Sequence, residues 1–386
     1  MEEWKEYKLG DVCSRLRSGK GIKADSVFNS GKYPVIGGNG VRGYADVPNF
    51  EGQAAIIGRQ GAYCGNVRFF EGEAYMTEHA IVAVGNELAD TRFLASLLSL
   101  MHLGNLSAQS AQPGISVQTL SKQPIRLPSI SYQKKVSAII KSLDDKIEVN
   151  RLINDNLEQQ AQALFKSWFV DFEPFRDQPF VESELGMIPE GWRVGRLSDI
   201  ASINPQRPIK KGDTATYLDM KNMPTSGPFP LLCEIKEYTG GMRFQNQDTL
   251  MARITPCLEN GKVAYVNFLE EKEIAFGSTE YIVMTTIEGL LPELLYFLCR
   301  DEEFKGYATK NMNGSSGRQR VSGETIGNYK MVLPPKSVLE AIASYFKSVM
   351  NTIKNNGFES RRLAELRDTL LPRLMSGEIK VGDVTL

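Results

Sequence analysis

The segments that could do chemistry are few, and each falls short of a reaction centre. Arg17-Ser18-Gly19-Lys20-Gly21 imitates the end of a phosphate-binding loop, but position 14 is Ser where the first glycine would stand. No Gly-x-Gly-x-x-Gly run opens a helix after a strand, so a dinucleotide or S-adenosylmethionine pocket of that type has no support. Ile203-Asn204-Pro205-Gln206 lacks the second proline and the aromatic residue of the amino-methyltransferase motif. Asp144-Asp145-Lys146 is nuclease-like only in isolation, and it falls on what reads as the solvated face of a long helix. The two histidines, His79 and His102, belong to no Cys-x-x-Cys or His-Glu-x-x-His spacing, so zinc has no ligand set. The reading is of a chain with no catalytic residue, no metal and no cofactor of its own.

Recognition chemistry is better represented. Lys20, Asn39 and Arg42 lie in glycine-bearing segments, and Gly58-Arg59-Gln60-Gly61-Ala62-Tyr63 follows a β-like run. Arg and Gln are the side chains suited to guanine and adenine edges, and glycine lets backbone approach a duplex closely. Ser107 to Gly114 is acid-free and amide-rich, with Gln109 and Gln112 as candidates. Later in the chain Arg253, Thr255, Asn260 and Lys262 recur in a comparable setting, as do Ser316, Arg318, Gln319 and Arg320. All sixteen are candidate DNA contacts, to bases or to phosphates. Taken singly, each also reads as an ordinary turn residue.

The elements that must hold these loops are written twice. Trp4-x4-Leu9-x-Asp11 returns as Trp192-x4-Leu197-x-Asp199, offset 188, and Ile56-Ile57-Gly58-Arg59 as Leu250-Met251-Ala252-Arg253, offset 194. Thr77-Glu78 returns as Thr279-Glu280, offset 202, each followed by Ile-Val (Ile81-Val82 and Ile282-Val283), and Leu127-Pro128 as Leu333-Pro334, offset 206. Matches in order with a growing offset indicate duplication followed by insertions.

Val136, Leu143, Asn150, Leu157 and Leu164 fall seven apart and match Ile342, Val349, Asn356, Leu363 and Leu370 at offset 206. Ile139, Ile140, Ile147, Ile153 and Trp168 widen this into a packing stripe. Ser337-x-x-Glu340 reads as a capping box and Gly377 as a helix stop. Each helix should run about 38 residues, roughly 57 Å. If the pair lies antiparallel, Asn150 and Asn356 meet at the middle and fix register, or else face solvent. The expected order is a globular unit over 1–130, a helix over 131–170, a linker over 171–185, a second globular unit over 186–335 and a helix over 336–377. The class is α+β: two similar mixed units joined by two long antiparallel helices forming a coiled-coil spacer.

Composition sets the limits. A chain of 386 residues, 42% hydrophobic and 24% charged, with net charge −1, suits a multidomain globular protein. Acid-free Arg- and Lys-bearing stretches such as 91–143 can neutralise phosphates despite that balance. Five scattered cysteines read as reduced thiols, and no secretion signal or membrane run is evident, so a cytoplasmic location is expected.

With these motifs, with Gly186-Met-Ile-Pro-Glu-Gly191-Trp192 and with the closing Leu370-Leu371-Pro372-Arg373-Leu374-Met375-Ser376-Gly377-Glu378-Ile379, the chain resembles the specificity subunits of Type I restriction-modification systems along essentially its whole length. The resemblance implies two target recognition domains on an antiparallel helical spacer. It also implies double-stranded DNA as ligand, two adenine-methylating modification subunits as partners, and restriction subunits that cleave. S-adenosylmethionine, Mg2+ and ATP would then belong to those partners. A duplicated protein–protein scaffold, or a self-sufficient DNA-modifying enzyme with a divergent site, are the alternatives.

Overall fold

Alternation along the central strands sends successive side chains into two separate cores. In the computed structural model, which describes residues 3–107, 113–230, 232–287, 290–315 and 317–383, Ala55, Ile57, Ile81 and Ala83 enter one apolar cluster while Ala54, Ile56, Ala80 and Val82 enter another. Strands covered on both faces read as continuous apolar runs, hence Ala54-Ala55-Ile56-Ile57. The chain divides into two units, Met1–Lys146 with Arg362–Leu386, and Ile147–Arg361.

In the first unit, β1 (Lys5–Lys8) pairs antiparallel with β8 (Pro124–Leu127). Six further strands form one sheet: β2 (Cys13–Ser18), β3 (Tyr33–Gly37), β4 (Gly40–Ala45), β5 (Phe50–Gly58), β6 (Val67–Met76) and β7 (Ala80–Gly85). Their spatial order is β2-β7-β5-β6-β3-β4, and only β3 and β6 run parallel. Helix α1 (Thr91–Leu100) lies against β5 and β6 and is capped by Asp90, which accepts from the Phe93 amide at 2.9 Å. Helix α2 (Val117–Ser121) is capped by Ser116. The unit is completed by the start of α3 (Ile130–Phe169) and the end of α7 (Lys336–Ser376).

The second unit opens with a hairpin, β9 (Phe180–Ser183) and β10 (Gly186–Pro189), and then repeats the plan. Its strands are β11 (Arg193–Arg196), β12 (Ala201–Ile203), β13 (Thr214–Leu218), β14 (Glu234–Glu237), β15 (Met242–Phe244), β16 (Thr249–Ala252), β17 (Val263–Tyr265), β18 (Ala275–Gly277), β19 (Tyr281–Thr286) and β20 (Lys330–Leu333). Its helices are α4 (Glu293–Arg300), α5 (Glu302–Lys310) and α6 (Gly323–Gly327), the last capped by Ser322 as α2 is by Ser116. Arg193 faces Leu333 as Lys5 faces Leu127, and β12-β19-β16-β17 repeats the order β2-β7-β5-β6.

The register also refines the repeat. Gly58 pairs with Ala80 and Ala252 with Tyr281, so the returning strand is offset by 201. Thr77-Glu78 therefore lies opposite Ser278-Thr279, one residue from the match expected from sequence.

One sheet of the first unit is two sheets in the second. Phe50 opposite Ala74 corresponds to Phe244 opposite Ala275, so the counterpart of β5 keeps its length as β15 plus β16. The counterpart of β6 gains residues between β17 and β18, and its pairing is interrupted there. The inserted segment is closed by Asn246, which donates to Leu269 O at 2.9 Å and accepts from the Leu269 amide at 3.1 Å.

Within each unit, α3 and α7 segments pair in opposite senses. In the first, the Tyr132 hydroxyl donates to Leu374 O and Ile379 O at 3.2 Å, and Arg367 pairs with Asp144 at 2.9 Å. In the second, Asn154 donates to Ile353 O at 3.1 Å. Val136, Leu143, Asn150, Ile342 and Val349 are buried, while Leu157, Leu164, Asn356, Leu363 and Leu370 are half-buried. Ile153 departs from the expected stripe: it is 42% exposed, beside exposed Val149 and Leu152.

The two central asparagines meet, but their side-chain amides do not pair with each other. Asn150, 1% exposed, donates to Glu359 Oε2 at 2.8 Å and to the Asn356 carbonyl at 3.4 Å, whereas the Asn356 amide donates to Asn154 at 2.9 Å. Asn150→Ala should cost about 1–2 kcal/mol through loss of these bonds, read as a lower chemical-denaturation midpoint.

At the ends of α7 one sequence expectation changes and one holds. Helix α7 opens at Lys336, whose ammonium lies 3.8 Å from Glu340, so Ser337 is inside the helix and not its cap. The helix ends at Gly377, with φ +74, where a Cβ would stand 2.9 Å from the Trp4 indole nitrogen. The stretch read as a linker is packed: Phe175 is buried and stacks edge-on against Trp168 and Trp192. No described helix is long and apolar enough to cross a membrane.

Candidate nucleic-acid interface

At one end of the first sheet, backbone bonds draw several loops around a single turn, residues 77–79. The Thr77 amide donates to Ile36 O (2.9 Å), the Lys20 amide to Met76 O (2.9 Å) and the Arg59 amide to His79 O (2.9 Å). A second set ties in the segment after the amide-rich loop: Gly61 N to Pro113 O at 3.0 Å and Ile115 N to Arg59 O at 2.9 Å. Glycine is required where β5 ends, since a Cβ on Gly58 would sit 2.2 Å from Tyr63 O.

This end carries Lys20, Asn39, Arg42, Gln60 and Tyr63, all exposed, and half-buried Arg59. Asn39 is held by Arg68, which donates to its carbonyl oxygen at 2.7 Å and its side-chain oxygen at 3.4 Å. Arg59 donates to Glu78 O at 3.4 Å, and His79 stands 3.2 Å from the Glu78 carboxylate. Gln109 and Gln112 lie outside the described residues.

The second unit places Arg253 in the same way. Its amide donates to Glu280 O (3.0 Å) and its carbonyl accepts from the Val321 amide (3.0 Å), as Arg59 does with His79 and Ile115. Around this shared frame the side chains differ. Ile254 bridges to Arg320 where Gln60 bridges to Gly114, so an arginine replaces a glycine. Arg320 grips Glu280 through both carboxylate oxygens, Nη2 to Oε1 at 2.7 Å and Nε to each at 2.9 Å. These bonds hold the Glu280 carboxyl below the usual glutamate range and raise Arg320.

The remaining candidates divide. Asn260 and Arg318 are exposed, and the Gln319 carbonyl accepts from Thr255 N at 3.1 Å. The Thr255 hydroxyl and Arg253 Nε are buried without a partner among the described atoms. Lys262 is not gathered with them, since its ammonium donates to Met220 O at 2.6 Å. Ser316 lies outside the described residues. Sequence reasoning missed Arg68, Glu78 and Glu280, which orient the loops. The repeated Thr-Glu pair was the available signal, though its two copies are one residue out of step.

Among the described residues no three His, Cys, Asp or Glu side chains cluster to hold a metal ion. Asp145 and Lys146 are exposed as expected, while the partly exposed Asp144 carboxylate is engaged between Arg92 (3.3 Å) and Arg367 (2.9 Å).

Comparison with known proteins matches residues 1–159 and 189–365 to the Type I restriction modification DNA specificity domain. The Type I restriction enzyme MjaIX specificity subunit of Methanocaldococcus jannaschii is 28% identical, with 73% of this chain and 67% of that protein covered. The HindI specificity subunit of Haemophilus influenzae is 25% identical, with 98% and 100% covered. The crystal structure of the Type-I restriction-modification system S subunit from M. genitalium shares the fold, with TM-score 0.61, 15% identity and 97% and 96% coverage. A family match over both halves, on a scaffold whose strand order is itself repeated, makes the chain a member of the Type I restriction-modification DNA specificity family.

Proposed function

We propose that this chain is a non-catalytic subunit that reads a bipartite DNA sequence, one half-site per unit, and that α3 and α7 form the spacer that sets the gap. The observation carrying this reading is the common backbone frame that presents Arg59 and Arg253, with different side chains around each. One scaffold with two linings suits two different short sequences. Exposed Lys20, Arg42 and Arg318 supply phosphate contacts, and Arg, Gln and Asn side chains read base edges.

Recruitment of two modification subunits is assigned to the helices. Val149, Leu152, Ile153 and Phe358 of the second unit are large apolar side chains left exposed, as is Leu366 of the first. Such surfaces fit protein partners. Restriction subunits would join the same complex, and S-adenosylmethionine, Mg2+ and ATP would be held by the partners.

Arg253→Ala, in the complete complex, should lose about 1–3 kcal/mol of discrimination at one base pair of one half-site. Arg59→Ala should do the same in the other half only. Methylome sequencing reads both outcomes. Unaltered methylation patterns in both variants would remove the assigned readers, and duplex binding insensitive to salt would remove the DNA-binding reading itself.

A further inference from the structure

The contact of each β domain with the long helices carries a polar set, and the two sets differ. The equivalences are set by the fold. Ala55 faces Phe69 and Thr249 faces Tyr265, so Phe69 corresponds to Tyr265. The Arg92 guanidinium stacks 3.8 Å over Phe69, and the Tyr265 hydroxyl donates to Glu293 at 3.1 Å. Arg92 thus corresponds to Glu293, which continues the offset of 201 from β7, while α3 and α7 correspond at 206.

In the first unit Arg92 and Arg367 share the Asp144 carboxylate, and Arg92 is only 12% exposed. The equivalent positions in the second unit are Glu293, Ala161 and Met350, all buried, with Ala161 and Met350 in its apolar core. Charge is reversed on the β-domain helix and deleted on both long helices.

The converse holds one turn along. In the second unit Glu158, 14% exposed, accepts from the Tyr296 hydroxyl and from the Gly227 amide at 3.0 Å, and lies 3.6 Å from Arg300. The equivalent positions in the first unit are Ala364, Ala95 and Ser99, none of which can replace that network.

We infer that these six pairs of positions are addresses, so that each β domain docks on its own helix segments and is rejected by the other's. A first β domain on the second segments would take Asp144 from Arg92, leaving only the 3.6 Å approach of exposed Glu71, which travels with the domain. It would also leave Glu158 confined and unpaired against Ala95 and Ser99. A second β domain on the first segments would put Glu293 beside Asp144, and Tyr296 against Ala364. Burying a charge without its partner is strongly unfavourable, so the discrimination does not depend on what the loops read. Taken with the proposed function, a recognition domain could be replaced within its own half but not moved to the other half without these residues.

The test uses the full chain with residues 5–127 and 193–333 exchanged and both helices left in place. We expect its apparent Tm to fall by about 5 °C or more, or the chain to become insoluble. Carrying the addresses along, by Asp144→Met, Ala364→Glu and Arg367→Ala with Met350→Asp, Ala161→Arg and Glu158→Ala, should restore most of that loss. An exchanged chain that melts like the original, or six substitutions that restore nothing, would overturn the inference. Because the readout is thermal unfolding, the result stands apart from whether Arg59 and Arg253 read DNA.

Discussion

Four residues inserted after Lys146 and four after Arg361 are expected to widen the unread gap in the methylated sequence by about two base pairs. The insertion points are the positions where α3 and α7 pass from one unit to the other. Because the two helices run in opposite senses within each unit, lengthening both preserves the pairing on either side. Four helical residues add roughly 6 Å, and successive base pairs are about 3.4 Å apart. Both half-sites should stay the same, since no loop is altered. Inserting into α3 alone should instead misalign the pair at Asn150, Asn154 and Asn356 and lower stability without giving a clean new gap. The measurement is single-molecule sequencing of methylated adenine in cells carrying the complete system. A gap that stays constant when both helices are lengthened would end the spacer model.

Removing the indole of Trp192 should be the most destabilising single truncation in the second unit, at about 3–5 kcal/mol. Its ring is 6% exposed and lies within 5.1–6.2 Å of Phe175, Phe172 and Phe169, so little can collapse into the space left. Trp192 begins the second copy, whereas Phe169, Phe172 and Phe175 end the first long helix and the turn after it. The cluster therefore anchors the end of α3 to the β domain that follows it. Trp192→Ala should lower the urea midpoint strongly, and Trp192→Phe much less because most of the apolar volume is retained. Near-native stability of the alanine variant would show that the aromatic cluster is not what holds this end of α3.

Features that repeat, or that follow a helical period, were readable from sequence. Trp4 and Trp192, Leu127 and Leu333, and the sevenfold series through Leu143 and Val349 each mark an element at its observed place. These positions are decided by burial and periodicity, which leave a direct trace in residue type. The candidate loops were found for a different reason, their glycines and amides. Which of them gather was not readable, because Lys20, Arg59 and the 77–79 turn are joined by backbone bonds that any residue can make. Lys262 looked like a surface cation and is engaged with a carbonyl instead. Its neighbours in sequence carry no sign of Met220, more than forty residues earlier. The ion pairs of Asp144 were not readable because its partners, Arg92 and Arg367, come from two other elements. The packed Phe175 turn was hidden by its own prolines and charges, which resemble those of a flexible connection.

The interruption between β17 and β18 has a consequence for how the second unit opens. In the first unit β5 and β6 share an unbroken run of eight facing residue pairs, so their amides should be released together. In the second unit the pairing of β16 with β17 and that of β15 with β18 can be lost one at a time, and hydrogen exchange should resolve two separate opening events there.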